Sequence, residues 1–328
     1  MSNTVSIGGL TYDLFVEVDH NVVTGSDGTH MFQLQLGSKI PVRKVTGACG
    51  GGAANTAVGL SRLGCSAACA GVVGSDQWGG MMLKNLEAEG VATGGITVVE
   101  KETSSFSIVL LTKNERVILN EPGTNAHLHD VTFDRAQAAS ADWVYLNHIH
   151  QASCVIEDDI LRMLTDTRPP HLTWNPGGCQ IDRGITEKNT ALLVARTELL
   201  IVNKEEAAAF TGKKTIEEAL RVMIHAGAGI ACITDGRNGS FATDGKQIHF
   251  CPCLPAAVVD TTGAGDAFGT AMTWALMQRK DLPTALRAGT INGASVVGVI
   301  GAEDGLLTET QIQSAIEKSA LTVESKSF

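Results

Sequence analysis

The sequence predicts an α/β fold: a central, mostly parallel sheet flanked by helices, with a small β-sheet lid. Three observations predict it. Short apolar runs alternate with amphipathic stretches along most of the 328 residues, the pattern of strands joined by helical crossovers. Two segments instead show a period of two, which belongs to an antiparallel sheet with one apolar face. The stretch Asp260-Thr-Thr-Gly-Ala-Gly-Asp266 then sets two glycines between a strand-like run and an apolar helix, where main-chain N–H groups can gather around an anion.

Taken in order, strands are expected over residues 5–10, 67–73, 143–146, 171–174, 199–202 and 230–234, with a strand-like run over 254–259. Amphipathic helices are expected over 53–63, 78–89 and 215–225, and an apolar one over 267–277. The last helix starts at Thr308, with Gln311 completing a capping box. In the first period-two segment Phe32, Leu34 and Leu36 alternate with Gln33, Gln35 and Gly37, and Ile40 and Val42 continue the beat. In the second, Phe106, Ile108 and Leu110 pass through a polar turn at 113–116 to Val117, Ile118 and Leu119. These segments predict a lid from roughly 13–48 and 97–121 on a single domain spanning 1–328. The lid's apolar face needs a cover, and a second copy of the chain is the simplest one, so a homodimer is expected.

Composition narrows the function. A hydrophobic content of 44% supports an ample core, and a net charge of −10 argues against nucleic-acid or anionic-membrane partners. No apolar run is long enough to cross a bilayer, and no basic-then-apolar leader is present, so a cytoplasmic protein is expected. The eight cysteines include no C-x-x-C pair and read as free thiols of a reducing compartment. Cys251-Pro-Cys253 alone invites another reading.

Asp266 is the odd member of its glycine loop. A carboxylate there repels a resting phosphate, so the economical reading is a base that takes the proton of an acceptor hydroxyl. The neighbouring N–H groups then hold phosphoryl oxygens in flight, which describes a kinase. Gly50-Gly51-Gly52-Ala53-Ala54-Asn55 lets a ligand lie on backbone, with Asn55 able to donate to and accept from hydroxyls; tight helix–sheet packing explains the same residues equally well. No Lys or Arg in this loop would hold a phosphate already on the acceptor. Asp13 lies past the first strand's C-terminal end, where parallel sheets bind ligands, although a lone loop Asp is usually a turn residue. Asn203 and Glu206 follow the 199–202 strand and suit either an ordinary capping box or a site near Mg²⁺ and phosphate. Thr234, Gly236 and Gly239 lie in a turn that passes a nucleotide phosphate or closes a plain hairpin. His127-Leu-His129 and His148-Ile-His150 lack a third ligand and read as polar loop residues.

Together these motifs resemble the ribokinase-like (PfkB) carbohydrate kinases over nearly the whole chain. The family signature D-T-x-G-A-G-D-x-F matches residues 260–268, and its N-terminal glycine motif matches Gly50 to Asn55 with Arg62-Leu-Gly64 behind it. The resemblance implies a ribokinase-like fold with Asp266 as catalytic base and Gly263, Ala264 and Gly265 as anion hole. It implies Asp13, Gly51, Gly52, Asn55 and Asn125 at the sugar, with His148 falling nearby. It also implies Asn203, Thr234, Gly236, Gly239 and Asn292 along ATP, and Glu206 acting on Mg²⁺ through water. Asp260, with the Gly301-Ala302 loop, resembles the family's monovalent-cation site, which makes K⁺ a further candidate cofactor. Two departures stand out: Gly52 replaces the Lys usual in ribokinases proper and Thr11 the Asn, so the acceptor need not be ribose. The expected activity is ATP-dependent phosphorylation of a monosaccharide. A nucleoside kinase of the same fold is the runner-up, disfavoured by the thin supply of aromatic side chains (Tyr12, Phe15, Phe32, Phe106). A dinucleotide oxidoreductase fits poorly because Asp266 would repel a pyrophosphate and the first βα turn lacks G-x-G-x-x-G. A non-catalytic sugar sensor has no use for Asp266.

Overall fold

The computed structural model describes residues 2–18, 22–24, 30–111, 116–128 and 135–328. A ten-stranded sheet orders its strands Glu324–Ser327, Gln247–Cys251, Ser240–Thr243, Ile230–Thr234, Leu199–Asn203, His171–Trp174, Trp143–Leu146, Asn3–Ile7, Ser66–Gly74 and Ala92–Val99. Neighbours are parallel from Ile230–Thr234 through to Ala92–Val99, and the strands beyond Ile230–Thr234 pair antiparallel. The parallel strands are nearly continuous apolar runs because helices cover both faces of the sheet. Residues alternate between two cores, so that Leu199 and Ile201 join the helices Gly52–Arg62, Ala264–Met277 and Leu282–Val296. Leu200 and Val202 join Ile156–Met163, Lys188–Val194 and Ile216–His225 on the other face.

The lid is a four-stranded sheet in the order Val42–Gly50, Thr11–Val18, Phe106–Leu111, Arg116–Glu121. Its strand Thr11–Val18 follows Asn3–Ile7 after only Gly8-Gly9-Leu10, so one segment feeds both sheets. Three expectations need correction here. The first strand stops at Ile7, and Asp13 lies in a lid strand opposite Ala48 and Ser107, not in a loop. Most of the 32–42 period-two segment is irregular: Ser38 N–H and Oγ both bond Gln35 O, Gly37 turns the chain, and Leu36 is 96% exposed. Residues 254–259 form no ladder, since Pro252 and Pro255 lack the N–H a strand needs. The polar turn expected at 113–116 lies, apart from Arg116, outside the described residues, as does His129.

Candidate active site

A cavity of about 340 Å³ opens between the lid and the C-terminal edge of the parallel strands. Gly8 and Gly9 after Asn3–Ile7, Asn147 to His150 after Trp143–Leu146, and Asn175 after His171–Trp174 form one side. Ser105, Asn120 and Pro122 face them from the lid region, and Gly51, Gly52 and Asp266 are also in its lining. This is where crossover topology gathers loops in an open parallel sheet.

Asp266 occupies the first turn of the Ala264–Met277 helix, whose N-cap is Gly263 at φ 76° with no side chain capping the helix. No side chain takes the first-turn N–H groups, and only a long 3.4 Å bond from Ala264 N–H to Thr261 O engages one of them, so the positive end of the helix stays largely open. Any residue but glycine at 263 would need a left-handed backbone and would overlap Ala302. Behind the cavity, the Gly52–Arg62 helix starts in the same way from Gly51, at φ 93° and packed against Gly9 O. One turn in, Asn55 Nδ2 donates to Asp266 Oδ2 at 2.7 Å. Burial raises the Asp266 pKa to about 6, against the lowering effect of the Asn55 hydrogen bond. The side chain is thus an anion at neutral pH that accepts a proton readily.

Asp13 is 9% exposed, and burial raises its pKa to about 6, with Ser107 opposing and the charge of Asp260 adding to the shift. It lies against Gly50, behind the cavity wall rather than in it. Asn125 lines the cavity and is held by Leu10 N–H, which donates to its Oδ1 at 3.0 Å. His148 is kept below its usual pKa by burial and by neighbouring His150, so at neutral pH it is an uncharged hydrogen-bonding group. Asn147 and Asn175 are absent from the expected site residues, yet both line the cavity from positions just past parallel strands. The strand-end rule would have found them. Asn147 Nδ2 is fixed by Ile7 O and Thr56 Oγ1, while its Oδ1 is a buried acceptor without a partner.

The other expected residues lie away from this lining. Asn203 and Thr234 are side by side at the ends of adjacent parallel strands. Gly236 opens a short turn that Gly239 closes, and the turn joins an antiparallel hairpin. Lys204 Nζ bonds Asp235 Oδ2 at 2.9 Å and ties the two strand ends together. Asn203 and Glu206 form the capping box: Asn203 N–H donates to Glu206 Oε2 and Glu206 N–H to Asn203 Oδ1, each at 2.8 Å. Among the described residues no three His, Cys, Asp or Glu side chains cluster as metal ligands. Asn292 departs from its expected place beside a nucleotide. It is fully buried, donating to Ala267 O and accepting from Leu307 N–H, and so braces the start of the Ala264–Met277 helix.

Asp260 also differs from expectation. Its Oδ1 accepts from Thr262 N–H, Thr262 Oγ1 and Arg116 Nη1 at 3.0, 2.8 and 2.9 Å, and Gly301 N–H bonds Oδ2 at 3.2 Å. A carboxylate crowded by donors and a guanidinium does not fit a monovalent cation. Cys251 and Cys253 are free thiols, buried and exposed respectively, and Cys154 Sγ lies 3.2 Å from Cys179 Sγ, a proximity their spacing did not reveal. No helix among the described residues is long and apolar enough to cross a membrane.

Comparison with known proteins agrees with this architecture. The model of the pfkB family carbohydrate kinases matches residues 18–309. Ribokinase of Bacillus subtilis is 27% identical over 96% of this chain and 100% of its own length. Ribokinase of Arabidopsis thaliana, solved with ribose and ATP, superposes with a TM-score of 0.79 at 21% identity, covering 97% of this chain and 99% of that one. The nucleoside kinase of Burkholderia thailandensis, solved with inosine, gives 0.77 at 18% identity, covering 97% and 98%. With its ribokinase-like fold, its small lid sheet and a family match across most of its length, the chain belongs to the pfkB family of carbohydrate kinases, ATP-dependent phosphotransferases.

Proposed function

We propose that this kinase transfers the γ-phosphoryl group of ATP to a hydroxyl of an unphosphorylated monosaccharide, with Asp266 as base. The observation that carries this is the Asp266 carboxylate in the cavity lining, weakened as an acid by burial, held by Asn55, and adjacent to an uncapped helix start. A sugar hydroxyl bonded to Asp266 gives up its proton as the bond to phosphorus forms, and a pKa near the working pH serves that transfer. The N–H groups of Gly263, Ala264 and Gly265 receive the charge on the phosphoryl oxygens. ATP lies along Asn203, Thr234, Gly236 and Gly239, and Mg²⁺ on its phosphates neutralises charge that these residues do not. Asn55, Asn125, Gly51, Gly52 and His148 hold the sugar, with Asp13 supporting them from behind Gly50.

Two features favour a free sugar. No Lys or Arg is among the described residues lining the cavity, so a phosphate on the acceptor would find no cation there. No Phe, Tyr or Trp lines it either. Tyr12, Trp78 and Phe106 stack on one another, with centroids 4.8 Å apart for Tyr12–Trp78 and 5.0 Å for Trp78–Phe106. A nucleobase would therefore lack a Phe, Tyr or Trp partner among the described residues of the lining. ADP release with MgATP over free sugars, sugar acids, sugar phosphates and nucleosides tests the reading. The highest kcat/KM should belong to a free sugar, and a nucleoside or sugar phosphate at the top would overturn it. A second copy packed on the lid face where Val45, Val117 and Leu119 are exposed completes the proposal.

A further inference from the structure

Arg116 opens the last lid strand, Arg116–Glu121, although its sequence pattern places it in a polar turn. Its Nη1 meets Asp260 Oδ1 at 2.9 Å and Thr261 Oγ1 at 2.6 Å. The Asp260 side chain is 1% exposed, while that of Arg116 is 32% exposed. Asp260 lies where three segments meet. It bonds the lid through Arg116, its own loop through Thr262, and the Gly301-Ala302 segment through Gly301 N–H. Ala302 in turn packs against Gly263, the N-cap of the helix that carries Asp266. A continuous path of contacts thus runs from a lid strand to the residues assigned to the anion hole.

We propose that Arg116 is a positioning residue: its guanidinium, delivered by the lid, supplies the positive charge at Asp260 for which a monovalent cation is otherwise expected, and so couples lid position to the anion loop. A buried carboxylate needs a charged partner, and Arg supplies one that is fixed, planar and weakly hydrated. A second monocation at the same carboxylate would stand close to the guanidinium and be repelled by it. The cation here is part of the chain, present when the lid is placed as it is in this structure. Turnover by the intact protein therefore needs no K⁺.

The role in turnover rests on the kinase reading, whereas the pairing itself does not, so the test has two arms. Wild type, Arg116→Ala and Arg116→Lys are compared in KCl and in tetramethylammonium chloride of equal ionic strength. In thermal unfolding, wild type should show no preference between the salts, while Arg116→Ala should be stabilised selectively by K⁺ as the ion enters the vacated place. In ADP release with the best acceptor, wild-type turnover should agree within about twofold between salts. Arg116→Ala should lose about tenfold or more in kcat without K⁺, within the range by which a displaced group slows chemistry. Potassium or methylguanidinium should restore part of it, and Arg116→Lys should need neither. A wild type that requires K⁺, or an Arg116→Ala protein indifferent to K⁺ and methylguanidinium, would overturn the proposal. So would an effect confined to KM for ATP, which would place Arg116 on the nucleotide itself. If no acceptor on the panel is phosphorylated, the kinase reading fails while the unfolding arm still decides the pairing.

Discussion

Asn nearly matches Asp in shape, so Asp266→Asn removes charge and basicity with little disturbance of packing. The Asn55 hydrogen bond survives, because Asn55 Nδ2 can donate to the new amide oxygen as it does to Asp266 Oδ2. Turnover should fall by about 10²-fold or more, the lower end of what a general base contributes. Stability should move the other way. Burial raises the Asp266 pKa from 3.8 to about 6, which sets an upper bound of about 3 kcal/mol on the penalty the ionised group imposes on the folded state. Water in the cavity screens the group and makes the realised figure smaller.

The sign follows from which state holds the proton more tightly. Because the folded pKa is the higher one, the group favours folding below its ordinary pKa, and that contribution is lost as pH rises through about 6. Wild type and Asp266→Asn should therefore unfold at similar temperatures in acid, and the mutant should gain a few degrees at neutral pH. The acid limb of the wild-type kcat/KM profile should bend near pH 6, not near the ordinary carboxylate value. Differential scanning fluorimetry across pH and ADP release on the same samples measure both. Near-normal turnover, or a mutant less stable than wild type at neutral pH, would refute the assignment of Asp266 as a desolvated base.

Asn55→Ala removes the hydrogen bond that lowers the Asp266 pKa, so the acid limb should move to higher pH, with most of the activity loss below neutrality. Gly263→Ala should cost about 1–2 kcal/mol from its left-handed backbone alone, more from Ala302, and should lower kcat; urea unfolding and turnover read the two. Arg183→Ala strips a partner at 2.6 and 2.8 Å from the buried Glu157 carboxylate and should cost about 3 kcal/mol in urea unfolding, Gln180 retaining one hydrogen bond. Leu119→Glu, on the lid face it shares with Val45 and Val117, should shift the protein to monomer in sedimentation velocity if a second copy covers that face.

Where local rules agree, the sequence was read well. The strands Trp143–Leu146, His171–Trp174 and Ile230–Thr234 fall on the expected residues because continuous apolar runs have one reading in a sheet covered on both faces. Thr308 and Gln311 form the expected capping box. The misreadings arise where one local pattern serves two structures. Alternation over Phe32 to Val42 resembles a strand, but Gly37 and Pro41 break it, and Leu34 is left 50% exposed. Asp13 reads as a loop residue when the first strand is run to Leu10, whereas the strand stops at Ile7 and the chain resumes after Gly8-Gly9-Leu10 in a different sheet. Asn292 and Arg116 were misjudged because their partners, Ala267, Leu307 and Asp260, are distant in sequence, and periodicity carries no information about such pairs.

The candidate site also shows where the fold forgoes stability. The helices beginning after Asp76, Glu187, Asn203, Thr215, Asp281 and Thr308 each have a side chain accepting from the first turn. The helices beginning after Gly51 and Gly263 have none, as is also true of those after Val155 and Gly178, though such a cap contributes about 1 kcal/mol. A cap would fill the positive end of the helix with the protein's own oxygen and leave no donors for a phosphoryl group. Asp266 follows the same logic, since a solvated carboxylate would be more stable and a poorer base. Both sacrifices fall within one turn of the cavity lining, where a ligand's oxygens can complete what the chain leaves open. Bound ligand should accordingly stabilise this protein by more than simple occupancy of a preformed pocket would suggest. Protection of the 260–266 backbone from hydrogen exchange should rise when MgATP and sugar are both present, and unchanged exchange there would separate these uncapped helix starts from phosphoryl binding.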